Sequence, residues 1–528
     1  MPSATENETR NAVAPEERSN NQTEVFAVHG ADPEVLAYAM AKYSRSALSM
    51  KESLREIGSQ KAEQFLNTFY FQYGHRSIAD LAHVAFAVER LSLLAAITLV
   101  DEQRWDGQER STRYQNFRKS GWYLPDFGAD AASERLYRET IENLFTQYHA
   151  VFEAVFASLK SQVAKPDDMK PETYERTLRA RAFDVARYLL PLATNTSLGQ
   201  IVNARTLETQ ISRLLSHPVA EIRLLGERLQ AAASGSAWNP QSDAFAALQR
   251  DIAALDPALG ERAAALLLRE VKTAPTLVKY AAPNDYLIRT RHELAQAAAE
   301  LLGSAPIDPA PLVDLIDDAD SVEVDLATTL LYGQSHYPYR QIRSAVAALP
   351  ESRRNEVIAL GARHRGRHDE LLREFSAGQA LRFDILMDIG GFRDMHRHRR
   401  CVQILQPFTA AHGYAIPEGV PEAGVQPLYD ETIRAAHSAH ATLTRGSAPE
   451  AAESAKYALP LATKNRALFK MDFAEALYIS ELRSAPQGHF SYRQVAWEMY
   501  RAVERTHPSL APYFRSTDFD APIDLLQR

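Results

Sequence analysis

The sequence predicts an α+β chain in which one unit occurs twice. Two sets of observations lead there. Blocks recur in the same order: Ala186-Arg-Tyr-Leu-Leu-Pro-Leu-Ala-Thr194 returns as Ala455-Lys-Tyr-Ala-Leu-Pro-Leu-Ala-Thr463, and Tyr137-Arg-Glu-Thr-Ile141 returns as Tyr429-Asp-Glu-Thr-Ile433. Within each copy, apolar residues at helical spacing alternate with short strand-like runs. A length of 528 residues also asks for more than one domain-sized unit.

Taken in order, residues 1–25 are polar, without an apolar core, and read as a disordered tail rather than a secretory signal. The first unit runs from 26 to 230. Val84–Val88 reads as a strand, and Tyr137–Leu159 and Val219–Leu229 carry apolar residues at helical spacing. Residues 231–274 form an Ala/Leu-rich connector broken by Asn239-Pro240, Asp256-Pro257 and Gly260, which reads as helical. The second unit runs from 275 to 520, with a strand-like stretch at Leu381–Leu386. His75 and His368 stand 293 residues apart, as do Asp101 and Asp394, whereas Pro191 and Pro460 stand 269 apart. The first copy therefore carries roughly two dozen extra residues, for which Ser158–Tyr174 is the natural place.

Composition sets further bounds. Hydrophobic content of 45% and charged content of 24% are those of a soluble globular protein, and no apolar run is long enough to span a membrane. A single cysteine, Cys401, excludes an intrachain disulfide and a Cys-rich metal site, and fits a reducing cytoplasm. The net charge of −8 argues against a general nucleic-acid binder.

The chemistry-bearing stretches differ between copies. Asp394-Met-His-Arg-His-Arg-Arg400 packs three arginines and two histidines behind the glycines of Asp388-Ile-Gly-Gly-Phe392. Guanidinium groups at this density suit a phosphate or pyrophosphate, and a solvated basic face has the same composition. Adjacent arginines argue against zinc on His396 and His398, so no metal site is expected. A second basic run holds His364 and His368 at helical i,i+4 spacing. In the first copy, Glu109-Arg-Ser-Thr-Arg-Tyr114 offers a hydroxyl, two guanidiniums and a phenol. If that segment is extended, Ser111 and Arg113 point the same way and could hold a monophosphate.

Gly74-His-Arg-Ser-Ile-Ala-Asp80, then Gln-Glu-Arg-Ser-Thr-Arg-Tyr114, Ala186-Arg187-Tyr-Leu-Leu-Pro191 and Asn203-Ala-Arg205 resemble, in order, the motifs of the flavin-dependent thymidylate synthase family. Arg213 and Glu221-Ile-Arg223 continue the likeness, and a weaker version covers the second copy. The family's Arg-His-Arg survives only as Arg397-His398-Arg399. In the first copy the repeat register puts Arg104-Trp105-Asp106 in that place. Asp101-Glu102-Gln103 would keep the family's loop length but break the register. The second copy has Pro407 for the family's serine, Lys456 for Arg187, and Met471-Asp-Phe473 for Asn-x-Arg.

The resemblance implies two tandem units, each of long helices around a small, mainly antiparallel sheet, forming an intrachain pseudo-dimer, with two chains making a homodimer. It implies FAD as cofactor, NADPH and methylenetetrahydrofolate as co-substrates, and reductive methylation of deoxyuridine monophosphate (dUMP) at C5. Carried over residue by residue, Glu109, Ser111, Thr112, Arg113 and Tyr114 would hold the nucleotide, with Arg187 at its phosphate. Arg213 would stabilise negative charge on the pyrimidine and is the expected catalytic residue. His75, Ser77, Asn203, Arg205, Arg397, His398 and Arg399 would hold flavin, the last three from the other copy, giving one composite site. Arg483, His489 and Arg493 are further candidates. Cys401 sits among arginines that could lower its pKa, although this chemistry needs no protein nucleophile. The broken motifs equally fit a diverged, non-catalytic nucleotide- or flavin-binding scaffold. An enzyme acting on another pyrimidine nucleotide also fits.

Overall fold

Among the described residues, strand runs directly into helix at four places, and a short polar residue stands at each junction. Ser92, Asn203, Asp388 and Asp472 each accept a hydrogen bond from the backbone N–H three residues on, at 2.9, 2.8, 2.6 and 2.8 Å. Such caps satisfy first-turn donors and contribute about 1 kcal/mol each. The structure, a computed structural model, describes residues 26, 28, 30–42, 50–56, 76–117, 120–285, 287–289, 311–316, 321–332, 339–362, 375, 380–448 and 450–526. The tail 1–25, His75, His364 and His368 lie outside the described residues, and Ser77 is placed by its backbone alone, in a short 3-10 helix, Arg76–Leu81.

The first unit contains α1 (Pro33–Lys42), α2 (Met50–Glu56), β1 (His83–Ser92), α3 (Leu93–Leu99), β2 (Asp106–Glu109), α4 (Ala131–Gln162), α5 (Pro171–Ala186), β3 (Asn195–Asn203), α6 (Ala204–Leu215) and α7 (Ala220–Ser234). Helices α8 (Ser242–Leu255) and α9 (Pro257–Leu267) follow as a packed pair. The second unit contains β4 (Val313–Ile316), α10 (Val322–Tyr332), α11 (Tyr339–Ala347), α12 (Glu351–Ala362), β5 (Leu381–Asp388), α13 (Ile389–Met395), β6 (Val402–Leu405), α14 (Gln426–Leu443), α15 (Ala451–Ala455), β7 (Lys464–Met471), α16 (Phe473–Ser484) and α17 (Phe490–Thr506). Each unit holds one antiparallel sheet, ordered β1-β3-β2 and β4-β5-β7-β6. The α+β, twice-built reading is therefore the observed fold.

The recurring blocks make the seam. Leu192 N donates to Leu459 O (2.9 Å) and Ala193 N to Tyr457 O (3.0 Å); reciprocally, Leu461 N donates to Leu190 O and Ala462 N to Tyr188 O, both at 3.0 Å. The two units thus form a pseudo-dimer within one chain, with Pro191 facing Pro460 across its axis. Helices α4 and α14 pack against each other on the same axis. The repeated tyrosines anchor them: Tyr137 and Tyr429 are fully buried, and their hydroxyls donate to Tyr123 O (2.6 Å) and Ala415 O (2.8 Å). The extra residues of the first copy lengthen two helices. Helix α4 has 32 residues against 18 in α14, and α5 has 16 against 5 in α15.

Two sequence readings are displaced. Residues 271–284 stay with the first unit: Ala237 N donates to Val271 O (2.8 Å) and Asn284 N to Ser216 Oγ (2.7 Å), so the join lies after them rather than at 275. The register through the Arg-His-Arg region also shifts. Ser92 pairs with Asn195 where Asp388 pairs with Lys464, and seven-residue helices α3 and α13 follow. Asp101-Glu102-Gln103, not Arg104-Trp105-Asp106, therefore occupies the place of Arg397-His398-Arg399. The cause lies upstream, where the second copy has three more residues between His368 and Asp388 than the first has between His75 and Ser92.

Candidate functional site

Past β2 the first unit turns sharply. Residues 112–114 form a turn in which Ser111 Oγ accepts from Arg113 N at 3.2 Å. The segment is not extended, and Ser111 and Arg113 do not share a face: the hydroxyl is drawn into the local turn. Arg110 holds the loop from outside, through Gln115 Oε1 (2.8 Å), Ser120 Oγ (3.1 Å) and the Phe117 ring. Tyr114 is exposed, with the Arg113 guanidinium against its ring.

Inside this turn lies a buried charge network. Arg113 grips Asp184 with two bonds, of 2.9 and 3.0 Å, and donates to Tyr492 of the second unit at 2.8 Å. Arg187 lies 3.3 Å from Asp184 and 3.4 Å from Asp394, and donates to Thr112 at 3.3 Å. Arg393 bonds both Thr112 and Glu109. His489 Nδ1 stands 3.1 Å from Asp184, and its Nε2 is 2.7 Å from the Tyr188 hydroxyl. Burial alone would raise the Asp184 carboxyl, but His489, Arg113 and Arg187 hold it well below the carboxylate range. Burial lowers the His489 pKa, and Asp184 beside Nδ1 opposes that shift. Glu109, Thr112, Arg113 and Arg187 thus converge with Arg393, Asp394, His489 and Tyr492 of the second unit, and not with Arg397, His398 and Arg399 as expected. The Arg113 and Arg187 guanidiniums, moreover, are already bound to carboxylates.

Arg213 stands elsewhere. Its Nε and Nη2 bind Glu102 Oε1 at 3.0 and 2.8 Å, and Nη2 also donates to Thr98 O. It lines a cavity of about 530 Å³ between the units, opposite Pro407, Phe408 and Lys456. This cavity is the pseudo-symmetric counterpart of the first network, with the polar residues exchanged. Leu405 takes the place of Glu109, Phe408 that of Thr112 and Ile97 that of Arg393, so apolar side chains leave a cleft open where charges closed it. Lys456 binds both oxygens of Glu453, at 2.8 and 2.7 Å.

A second cavity of about 390 Å³ adjoins it, and Asp101, His396 and Gln403 line both. Here the first turns of α6 and the Arg-His-Arg segment meet. Thr206 and Thr209 face His398 and Arg399. Asn203 caps α6 and Arg205 pairs with Asp80 at 3.3 Å. Arg397 is exposed, and neither it nor Arg399 has a carboxylate partner among the described residues; Arg399 lies over the buried Trp105 ring, 5.1 Å from its centre. His398 Nε2 accepts from Arg483 at 2.8 Å, which leaves its Nδ1 proton for Glu475. Burial lowers the His398 pKa.

His396 is the residue sequence reasoning missed, having weighed it only for zinc. Gln403 donates its Nε2 to His398 O (2.9 Å), so its Oε1 faces His396 Nδ1 at 2.8 Å. That assigns the proton to Nδ1. Burial, then Arg399, lowers the ring's pKa; its buried Nε2 has no hydrogen-bond partner among the described residues, with the Asp101 carboxylate 3.8 Å away. Cys401 is not activated: burial pushes its thiol up to about 11, and Sγ donates to His398 O at 3.1 Å. Desolvation outweighs the neighbouring arginines. The close approach that Gly391 allows is also internal, since an added Cβ would lie 2.5 Å from Ser491 Oγ.

The thymidylate synthase complementing protein family model matches residues 26–235 and again 318–509. The chain belongs to this family. Some relatives match the chain nearly end to end. A UPF0159 protein of Chlamydia muridarum is 28% identical over 95% of this chain and 93% of its own length, and one of Thermoplasma acidophilum is 26% identical over 91% and 94%. A flavin-dependent thymidylate synthase of Clostridium tetani is 27% identical over 33% of this chain and 67% of its own. The tandem arrangement thus extends to the full-length relatives, while the thymidylate synthase covers about one unit. No helix among the described residues is long and apolar enough to cross a membrane.

Proposed function

We propose that the groove between the units binds FAD and a pyrimidine nucleotide, and that the chain performs flavin-dependent reductive methylation of dUMP. NADPH and methylenetetrahydrofolate would be the co-substrates, and two chains would form a homodimer. The observation that supports this most is the groove: two adjoining cavities, lined by both units, of a size usual for ligand sites. The residues fit a flavin nucleotide. Arg399 and Arg104 would meet phosphate oxygens, the Thr206 hydroxyl would donate beside them, and the unsatisfied His396 Nε2 would accept an imide N–H. Bound flavin would supply the hydride. Arg213 and Lys456 would face the nucleotide, and a guanidinium at the pyrimidine carbonyl edge would stabilise charge as C5 becomes nucleophilic.

A visible absorption spectrum of the purified protein, before and after FAD addition, is the first test, followed by NADPH oxidation with dUMP and methylenetetrahydrofolate. Folded protein that neither retains nor takes up flavin ends this reading. A second reading, a non-catalytic nucleotide-binding scaffold, has one specific observation in its favour. Arg113, Arg187, Arg213 and Lys456 each already hold a carboxylate. FAD-loaded protein that binds dUMP but never oxidises NADPH would decide for it.

A further inference from the structure

The pseudo-dyad relates two smaller cavities away from the groove, and they differ by one exchanged charge. In one, of about 160 Å³, Glu450 completes an internal anion site. Its carboxylate accepts from Ala220 N, the first amide of α7, at 3.2 Å, and from Arg223 Nη2 at 2.6 Å. A helix N-terminus and a guanidinium together favour an anion there.

The other cavity, of about 260 Å³, lies at the start of α17. Phe490 takes the place of Ala220, and Arg493 that of Arg223, in helices that begin at corresponding points. His489 puts no side-chain cap on this helix. The counterpart of Glu450 is Arg181, so the helix end and guanidinium are kept and the carboxylate is replaced by a second cation, which donates to Leu525 O (3.2 Å) and Asp524 O (3.4 Å). Arg493 is 1% exposed; its Nε donates to Ser484 O at 3.2 Å, and its Nη2 has no hydrogen-bond partner among the described residues. Of the nearby acids, Glu418 acts on Arg493 electrostatically, without an ion pair between them among the described residues. Asp184 is bound by Arg113, Arg187 and His489, and Glu418 and Glu422 are exposed. Val155, Leu159, Val185 and Leu525 give the remaining walls an apolar character.

We propose that this cavity is a further ligand site, separate from the groove, for a small carboxylate with an apolar body. The carboxylate lies between the Phe490 amide and Arg493, where Glu450 lies in the other half, and the apolar part runs along Val155, Leu159 and Val185. Hexanoate is the probe, with 1-hexanol as its uncharged control, titrated calorimetrically into the full chain. Hexanoate binds saturably and hexanol does not. Arg181→Glu restores the pairing seen in the other half; it weakens hexanoate at least about tenfold and keeps or raises the melting temperature. Arg493→Gln weakens hexanoate similarly. The proposal is overturned by wild-type protein that does not bind hexanoate at about 10 mM, an affinity far below that of useful ligands. Equal binding of hexanol, or undiminished hexanoate binding by Arg181→Glu or Arg493→Gln, overturns it as well.

Discussion

Asp184 serves two guanidiniums and an imidazole in a place without solvent, so its charge is needed by every partner at once. Asp184→Asn leaves the buried Arg113 without its carboxylate and Arg187 with Asp394 alone, and should cost about 3–5 kcal/mol in urea unfolding. The pH dependence follows from the direction of the shift. The folded carboxyl titrates well below its unfolded value near 3.8, so its contribution is complete above that value and lost as pH falls through the folded pKa. The wild-type urea midpoint should drop steeply below about pH 4, and the Asn variant, lower throughout, should be flatter there. A midpoint equally steep in the variant would show that other carboxyls govern acid unfolding. Cys401 gives a second residue-scale expectation. A buried thiol with its pKa near 11 should resist a disulfide reagent at pH 7.5 until the protein unfolds. Rapid labelling of native protein would contradict that burial. Glu109, Thr112, Arg113 and Arg187 could be picked out because they sit in contiguous motifs, but the protein groups they bind could not. His396 was not, because its role depends on Gln403 fixing its tautomer, a contact that leaves no spacing signature.

Among elements, β2 shows how tightly the groove wall is built. An added Cβ at Gly107 would fall 2.3 Å from the Gly199 carbonyl of β3 and 2.5–2.6 Å from the Trp105 ring, on which Arg399 lies. Gly107→Ala should therefore push β2 from β3 as well as shift the ring, and cut flavin uptake several-fold, while the crowding costs about 1–3 kcal/mol of stability. Unchanged uptake, measured by absorbance after FAD addition, would separate Trp105 from the cofactor site. Helices and strands with strong periodicity, such as α4 and β5, were readable from sequence. The Arg-His-Arg register was not. Matching aspartates at 101 and 394 mimicked a repeat, whereas the strand pairing Ser92–Asn195 and Asp388–Lys464 sets the correspondence. Backbone hydrogen bonds fix register, and a coincidence of residue type cannot.

For the whole molecule, apolar side chains remain on the sheets' outer faces. Ile201, Val402 and Ile404 are roughly half exposed, the last two on an edge strand of the second unit. A homodimer of the tandem chain would cover such a face. Light scattering after gel filtration should give twice the chain mass, and Ile404→Lys should shift the protein toward monomer; a monomeric wild type would rule out this pairing. The seam at Pro191 and Pro460 has a further consequence, in time. Leu192 and Ala193 find their hydrogen-bond acceptors only on Leu459 and Tyr457. Those acceptors leave the ribosome some 270 residues later, roughly 15–50 s at ordinary rates of synthesis. The first unit must wait that long with the middle of its fold unsealed, so chaperone dependence during translation belongs to the cost of having fused the pair.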